Sequence, residues 1–490
     1  LEDPSNMGWI AMGQRCIKGI GAYLPLLRLD RKAAARALAW TGLAAGKSGR
    51  RAVGGWDEDA ATFAVEAARV SLPPGADVGN VIMATTSSPF FERSQAGLLV
   101  DALHLPSHVR TLDVGGSRRA AVSALLAALL DNTDTNTLIA AGERRPTKPG
   151  SALQLSWGDG GAAVLVGSEG GVHLLGYHSL SHDLVDVYSS RVHPTPYQSE
   201  ERFIRDVTVG EILRPAITAA LQTAGIAAGD ISAAIVPEAV DGIYKALAGA
   251  IGLKAPNVAE KAAAVGGDLG TAHPLFALAL ALDAATAGDK LLLVGFGSGC
   301  DALVLEVRGP VHGAASASAA MTHGVVLDDY VRFLSLNGSL ELDWGPRSEL
   351  EQKTSASVLE RYGRDMMGFI GGRDPSGISQ FPKSRIPVAP GALAGQGVQD
   401  IRLADEIGKI VSITADRLNY SPDPPFHFGL VQFEGGARVL MEFTDIDRSS
   451  SPMVGDSVAM RFRIKSIDRR RGFRTYFWKA VPPQRPNLEN

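Results

Sequence analysis

Only two cysteines, Cys16 and Cys300, stand in 490 residues, too few for a disulfide framework or a four-cysteine zinc site. The cytoplasm, a reducing compartment, is the expected setting. Long apolar runs are missing as well. The ten residues from Ala121 to Leu130 form one of the longest, well short of the ~20 that cross a bilayer, so no membrane partner is expected. Neither sign of charge is in excess, with 48 Lys+Arg against 52 Asp+Glu and a net charge of −4. That balance excludes the strong field that recruits nucleic acid. Residues 1 to 6 show no signal-peptide pattern and read as an expression remnant ahead of Met7 or Met12. Aromatic residues are scarce at 6%, whereas glycine is abundant at 55 and 45% of the chain is hydrophobic. The result is a tightly packed, turn-rich chain with enough core for about two to four globular units.

From about Gly19 to Val307 short apolar runs alternate with Ala/Leu-rich stretches of helical period, the mark of a layered α/β fold. The first half offers strands at Asn80-Val-Ile-Met-Ala-Thr, Thr137-Leu-Ile-Ala-Ala and Gly161-Ala-Ala-Val-Leu-Val, with helices over Glu92 to Leu103 and Ser117 to Leu130. The second offers helices over Gly210 to Ala224, Ile243 to Ile251 and His273 to Ala287, with strands starting at Ser232, Lys290 and Ala302. The order repeats, which predicts an internal duplication. After a Gly/Ala/Ser break at Gly309 to Ala319 comes a polar helical segment, Leu327 to Arg361. Five short alternating strands between about Gly391 and Pro482 then predict a small barrel. Its basic turn, Arg469-Arg470-Arg471, reads as a solvated hairpin tip or as a grip for a phosphate.

Four glycine-rich stretches carry a resemblance: Gly19-Ile-Gly-Ala-Tyr-Leu-Pro, Asp113-Val-Gly-Gly-Ser-Arg-Arg-Ala, Gly158-Asp-Gly-Gly-Ala-Ala-Val-Leu-Val and Gly295-Phe-Gly-Ser-Gly-Cys-Asp-Ala. In this order and spacing they resemble the thiolase superfamily, in the branch of 3-hydroxy-3-methylglutaryl-CoA synthase and ketoacyl-ACP synthase III. Gln380-Phe-Pro-Lys-Ser-Arg and the strands after it resemble the zinc-ribbon/OB-fold proteins that accompany acyl-CoA thiolases and synthases. The resemblance implies an α/β fold, a duplicated thiolase fold layered α-β-α-β-α and followed by a small all-β OB-fold barrel. The halves would span 13–168 and 169–310, with a linker, helical segment and degenerate zinc ribbon over 311–390 and the barrel over 391–484. It also implies a coenzyme A thioester as substrate with no bound cofactor, and a homodimer or a heterodimer with a thiolase-like paralogue.

The family chemistry uses a cysteine at a helix N-terminus, where the dipole lowers its pKa, to form an acyl-enzyme. Here the helix head reads Gly116-Ser117-Arg118-Arg119-Ala120, so Arg118, or Ser117 with a one-residue slip, stands at the nucleophile position. Arg118 cannot attack, but it can bind a carboxylate or an enolate; the alternative is that it fills a dead pocket. Pro237 stands where the family has histidine, leaving any acid–base role there to Glu238. In Gly267-Asp268-Leu-Gly-Thr-Ala-His273-Pro274, Asp268 replaces the family's asparagine. His273 at a helix start is a candidate base with its charged form disfavoured, or else a helix cap. Glu92, in the loop Thr85 to Arg93, is a candidate general acid or merely the start of a helix. Gly116, Gly297, Ser298 and Gly299 are the candidate substrate-binding residues, with backbone donors of the Gly297-Ser298 turn aimed at the thioester oxygen.

Tyr177-His178 and Ser181-His182-Asp183 fall between the halves and are expected in loop or interface roles rather than as metal ligands. The four ribbon positions that would carry zinc cysteines are Arg373, Ser376, Pro387 and Pro390, so zinc is expected to be absent. These readings converge on an enzyme that makes or breaks a carbon–carbon bond in a coenzyme A ester by aldol or Claisen chemistry without a cysteinyl acyl-enzyme. The alternatives are a catalytically inactive subunit paired with an active paralogue, and an acyltransferase using Ser117.

Overall fold

The computed structural model describes residues 15–42, 48–345, 356–393 and 397–482. Its centre is a mixed sheet of nine strands: β1 (Cys16–Tyr23), β2 (Asn80–Ala84), β3 (Arg110–Val114), β4 (Thr137–Glu143), β5 (Gly160–Gly167), β6 (Val172–Ser181), β7 (Ala233–Ile235), β8 (Lys290–Phe296) and β9 (Gly299–Val307). They lie in the order β7-β8-β9-β6-β1-β5-β4-β2-β3. β1 meets β6 through only two residue pairs, Cys16 with His173 and Ile17 with Val172, so the sheet is two half-sheets joined at a short seam. Each half repeats one scheme. A parallel pair, β2 with β4 or β7 with β8, continues through antiparallel neighbours, β5 and β1 or β9 and β6.

Seven helices flank these strands: α1 (Ala60–Ser71), α2 (Gln95–Ala102), α3 (Ala120–Leu130), α4 (Arg214–Ala224), α5 (Ile243–Ile251), α6 (Val258–Gly266) and α7 (His273–Ala284). α3 and α7 share one buried cluster with β1, β5, β8 and β9 between the half-sheets. α7 is buried on every face from His273 to Leu282, as an interior helix must be. α1 and α2 cover the outside of the first half and α4 and α5 the outside of the second. The layers therefore run α-β-α-β-α.

One use of glycine accounts for the contact between α1 and the sheet. A Cβ added to Gly142, Gly161, Gly21 or Gly19 would stand 2.0, 2.5, 2.1 or 2.1 Å from the carbonyl oxygens of Ala60, Phe63, Ala67 and Ser71 respectively. Those four helix residues recur every three or four positions, one face of an α-helix. The strands leave out their side chains in register with that face, and the helix backbone lies directly on the sheet. Asp59 starts the helix in a capping box with Thr62.

Several predicted boundaries shift for local reasons. The helix expected from Glu92 begins at Gln95 because Ser94 caps it, accepting from the Gly97 amide. The helix expected from Ser117 begins at Ala120, after a turn over Gly116, φ +77°. The helix expected from Gly210 opens with a π-helical turn, Thr208–Leu213, before α4. Tyr177 and His178 lie within β6, opposite Leu303 and Ala302, not in a loop. Of the polar segment Leu327 to Arg361, residues 330–336 form one helix and Ala356–Gly368 another; residues 346–355 lie outside the described ones. So do Met7 and Met12.

The C-terminal barrel has five antiparallel strands, β10 (Gly408–Asp416), β11 (Phe426–Gln432), β12 (Arg438–Glu442), β13 (Ser457–Asp468) and β14 (Phe473–Val481), in the order β12-β11-β10-β13-β14. A parallel bridge from Phe443 to Ala480 closes it. Its core, with Phe462 and Trp478, is continuous with that of α1 and α2. Four carboxylates of the first half meet four cations of the barrel: Asp57 with Lys479 at 3.0 Å, Glu58 with Arg463 at 3.1 Å, Asp59 with Arg474 at 2.8 Å and Glu66 with Arg461 at 3.1 Å. Burial pushes the Asp57 and Glu66 carboxyls up, but Lys479 and Arg463 beside Asp57, and Arg69 with Arg461 beside Glu66, outweigh it and hold both below the ordinary carboxylate range. Such pairs fix the register of the two units more than they add net stability. Among the described residues no helix is long and apolar enough to cross a membrane.

Candidate active site

The head of α3 meets the β8–β9 hairpin and the C-terminal end of β6. Gly116 turns the chain, and Ser117 donates its hydroxyl to the Gly297 carbonyl at 2.7 Å while accepting from the Arg119 amide at 3.3 Å. Gly297 (φ +153°) cannot carry a side chain there, because a Cβ would lie 2.7 Å from the Ser117 Oγ and 3.1 Å from the Arg118 amide. The Gly297 amide donates to the Gly299 carbonyl at 3.0 Å, which closes the β8–β9 hairpin with Ser298 in the left-handed region, φ +48°. Arg118 is ion-paired with Asp186 and lies over the Phe296 ring, 5.8 Å from its centroid. Arg119 turns the other way, donating to the Leu180 carbonyl at 3.1 Å and standing 4.0 Å from Asp301.

Across a narrow cleft from Arg118 stand Asp268, Glu238, Pro237 and Pro274. The free space among them is about 10 Å³, room for about one water. Asp268 accepts from the Gly270 amide at 2.8 Å, and its carboxylate lies 3.5 Å from the Arg145 guanidinium. Burial pushes the Asp268 carboxyl up, but Arg145, His273 and Arg118 together hold it below the ordinary range. Arg145 is clamped by the Trp157 ring, 3.7 Å from its centroid, and donates to the Asp268 carbonyl at 2.6 Å. Glu238 accepts from the Tyr244 amide at 2.7 Å at the start of α5.

His273 is buried, with its Nδ1 accepting from the Leu269 amide at 3.3 Å and its Nε2 donating to the Ala259 carbonyl at 3.0 Å. Both ring nitrogens are thus committed to backbone, in a neutral tautomer. Burial, only partly offset by Asp268, holds its pKa below the usual imidazole value.

Comparison with known proteins fits this architecture. No family model matches the chain. It is 26% identical over 353 residues to a hydroxymethylglutaryl-CoA synthase of Aeropyrum pernix, covering 69% of this chain and 94% of that one. It is 25% identical over 344 residues to the synthase of Methanothermobacter thermautotrophicus, covering 66% and 99%. Among solved structures, an HMG-CoA synthase complexed with CoA superposes with a TM-score of 0.57 at 18% identity over 69% of this chain and 95% of that one. The 3-oxoacyl-(acyl carrier protein) synthase III of Pseudomonas aeruginosa gives 0.51 at 20% over 61% and 99%. The chain has the thiolase-like fold.

Within the thiolase-like fold, the structure brings Arg118, Asp268 and Glu238 to one cleft and leaves other expected residues elsewhere. His273 does not face that cleft as a free base; it braces the turn that carries Asp268. Glu92 is exposed on its loop. The carboxylate buried behind that loop is Glu143, which accepts from the Thr86 amide at 2.7 Å and the Ser87 hydroxyl at 2.6 Å. Gly297 and Gly299 spend their amide and carbonyl on the hairpin, and the side chain of Ser298 is exposed.

Neither cysteine lines the cleft. Cys16 lies in β1 and Cys300 in β9, both buried, and burial pushes both thiols up, away from the reactive thiolate form. His182 lies within 3.4 Å of Glu211 at the surface, and no cluster of metal-ligating residues occurs among the described residues. At the positions expected to carry zinc cysteines, Arg373 pairs with Glu406 at 3.0 Å and donates to Ser379 at 3.0 Å. Arginine, serine and two prolines are not a donor set for zinc. Sequence reasoning missed Asp186, Arg145 and Glu143. The one available signal was compositional: an arginine at a buried helix head requires a carboxylate somewhere.

Proposed function

We propose that the chain is an acyl-CoA-dependent enzyme that makes or breaks a carbon–carbon bond, by aldol or Claisen chemistry, without forming an acyl-enzyme. One observation carries this reading: a guanidinium, Arg118, occupies the helix head where the resemblance places a nucleophilic cysteine, and it faces the carboxylates of Asp268 and Glu238. A helix N-terminus and a guanidinium together suit an enolate oxygen. In the cleaving direction a carboxylate accepts the proton of a β-hydroxyl and the Cα–Cβ bond breaks. Its electron pair passes into the thioester as an enolate held at Arg118, which is then protonated at carbon. Asp268 is the weaker base, because its ionised form is stabilised by Arg145, Arg118 and the Gly270 amide; Glu238 is the better candidate. His273 is a positioning residue for the Asp268 turn.

The domain reading belongs to the same proposal: thiolase-like halves at 13–168 and 169–310, a ribbon without zinc within 311–390, and an OB-fold module over 391–484. The fused module serves for docking and coenzyme A access in a cytoplasmic protein. A second chain, a copy or a paralogue, pairs along β3, whose outer edge has no partner strand among the described residues and exposes Leu112.

A second reading, a catalytically silent subunit, is favoured by the closed cleft and by the neutralisation of Arg118 by Asp186. The acyltransferase reading loses support, since the Ser117 hydroxyl donates to a carbonyl and meets no base. Incubation of the purified protein with a panel of acyl- and β-hydroxyacyl-CoA esters, following bond cleavage by mass spectrometry, separates the readings. Turnover that falls at least ~100-fold in Arg118→Ala supports the enzyme. Turnover seen only with an added active paralogue, and unchanged by Arg118→Ala, supports the silent subunit.

A further inference from the structure

The longest run of consecutive positive charge in the described chain lies far along the sequence from the helix head, in the barrel. The turn between β13 and β14 is Arg469-Arg470-Arg471-Gly472, projecting past the last paired residues, Asp468 and Phe473, and exposed throughout. On a chain of net charge −4, three consecutive arginines share one carboxylate, Asp468, which binds Arg471. Among the described residues Arg469 meets the Tyr420 hydroxyl, at 3.3 Å.

The base of the tip is anchored on the loop that follows β2. Phe473 packs on Phe90 with ring centroids 6.2 Å apart. The loop that carries Phe90 starts at Thr85, whose carbonyl lies so close to Gly115, just before the head of α3, that a Cβ there would be 2.7 Å away. Five Cα-to-Cα steps lead from Thr85 to Phe90, a span of at most about 18 Å, within the reach of an extended pantetheine arm. Between tip and loop, the Arg93 guanidinium lies over three rings, 4.7 Å from the centroid of Phe90, 5.3 Å from Phe473 and 5.7 Å from Tyr476. Among the described residues it has no carboxylate partner. One Arg93 donor goes to the Arg474 carbonyl at 3.3 Å, and stacking fixes the guanidinium without consuming the others, which pre-organises it for an anion.

We infer that the arginine tip of the barrel, together with Arg93, binds the phosphorylated nucleotide end of the coenzyme A thioester. Guanidinium forks match phosphate oxygens. The barrel thus supplies the phosphate site and the thiolase-like half supplies the thioester site. This rests on the acyl-CoA reading above.

Calorimetric titration of the full chain with coenzyme A, 3′-dephospho-coenzyme A and adenosine 3′,5′-bisphosphate tests it. The variants are Arg469→Ala/Arg470→Ala/Arg471→Ala and Arg93→Ala, each checked for an unchanged melting temperature. Coenzyme A should bind the triple variant about tenfold or more weakly, with a shallower salt dependence. The dephospho form should be affected less. Equal coenzyme A affinity in wild type and both variants overturns the inference while leaving the acyl-CoA reading intact. No coenzyme A binding by the wild type overturns both.

Discussion

Ser117 gives its hydroxyl proton to the Gly297 carbonyl at 2.7 Å, tying the head of α3 in one half-sheet to the hairpin of the other. A serine so committed is a staple. It has neither the lone-pair freedom nor the adjacent base that a nucleophile needs. Ser117→Ala should lower stability by about 1 kcal/mol through the lost bond, seen as a drop of a few degrees in melting temperature. Intact-mass measurement after acyl-CoA incubation should show no adduct on wild type or variant. An acyl adduct on wild type that disappears in Ser117→Ala would restore the acyltransferase reading.

Arg118 and Asp186 form a largely buried pair. Removal of either partner strands the other charge, so Arg118→Ala and Asp186→Ala should each cost about 3 kcal/mol. The double substitution should cost clearly less than their sum. Chemical denaturation of all four proteins reads this coupling. Additive losses would mean that the two side chains do not depend on each other.

The layered plan was legible because burial on both faces writes continuous apolar strands, as in β4 and β5, and because α3 and α7 carry apolar residues all round. The five barrel strands were legible by alternation. Charge pairing was not. Asp186 meets Arg118 across 68 positions and Arg145 meets Asp268 across 123, separations at which no local period operates. His273 shows what sequence leaves open: a histidine at a helix start reads as a base or as a cap, and the backbone amide and carbonyl on its two nitrogens decide for a brace. The helix starts moved for simpler reasons, namely the Ser94 cap and the Gly116 turn, which lie within the ordinary scatter of boundaries.

The glycine column beneath α1 makes a sharp prediction. At Gly142 a methyl group would stand 2.0 Å from the Ala60 carbonyl oxygen, a backbone atom that cannot rotate away. Gly142→Ala must therefore lift the helix from the sheet, with a cost of about 3 kcal/mol or more. Gly225→Ala is the control for a glycine with open space but a left-handed backbone, φ +67°, and should cost only about 1 kcal/mol. Thermal melts of the two variants should rank in that order. Equal melting temperatures would show that α1 does not lie on the sheet as closely as described.

The seam with the barrel carries its own pH dependence. Glu58 accepts from the Tyr23 hydroxyl at 2.6 Å and from the Gly55 amide at 2.8 Å, and pairs with Arg463. Burial nevertheless pushes its pKa up to about 7, opposed by Arg463 and helped by Asp445 and Asp57. An unfolded chain has this carboxyl near 4.5. Between the two values the folded protein holds a proton that the unfolded chain releases, so the contribution is full below about pH 4.5 and is lost as pH rises through 7. The loss is on the order of 3 kcal/mol. Asp57 and Glu66, whose values are held low, titrate below this window and act with the opposite sign. Glu58→Gln, which keeps an acceptor for Tyr23 and Gly55 and cannot ionise, should flatten the fall in stability between pH 5 and about 7. Denaturation curves at several pH values measure both proteins. Parallel profiles for wild type and variant would place the ionisation of Glu58 outside this range and leave the seam insensitive to pH there.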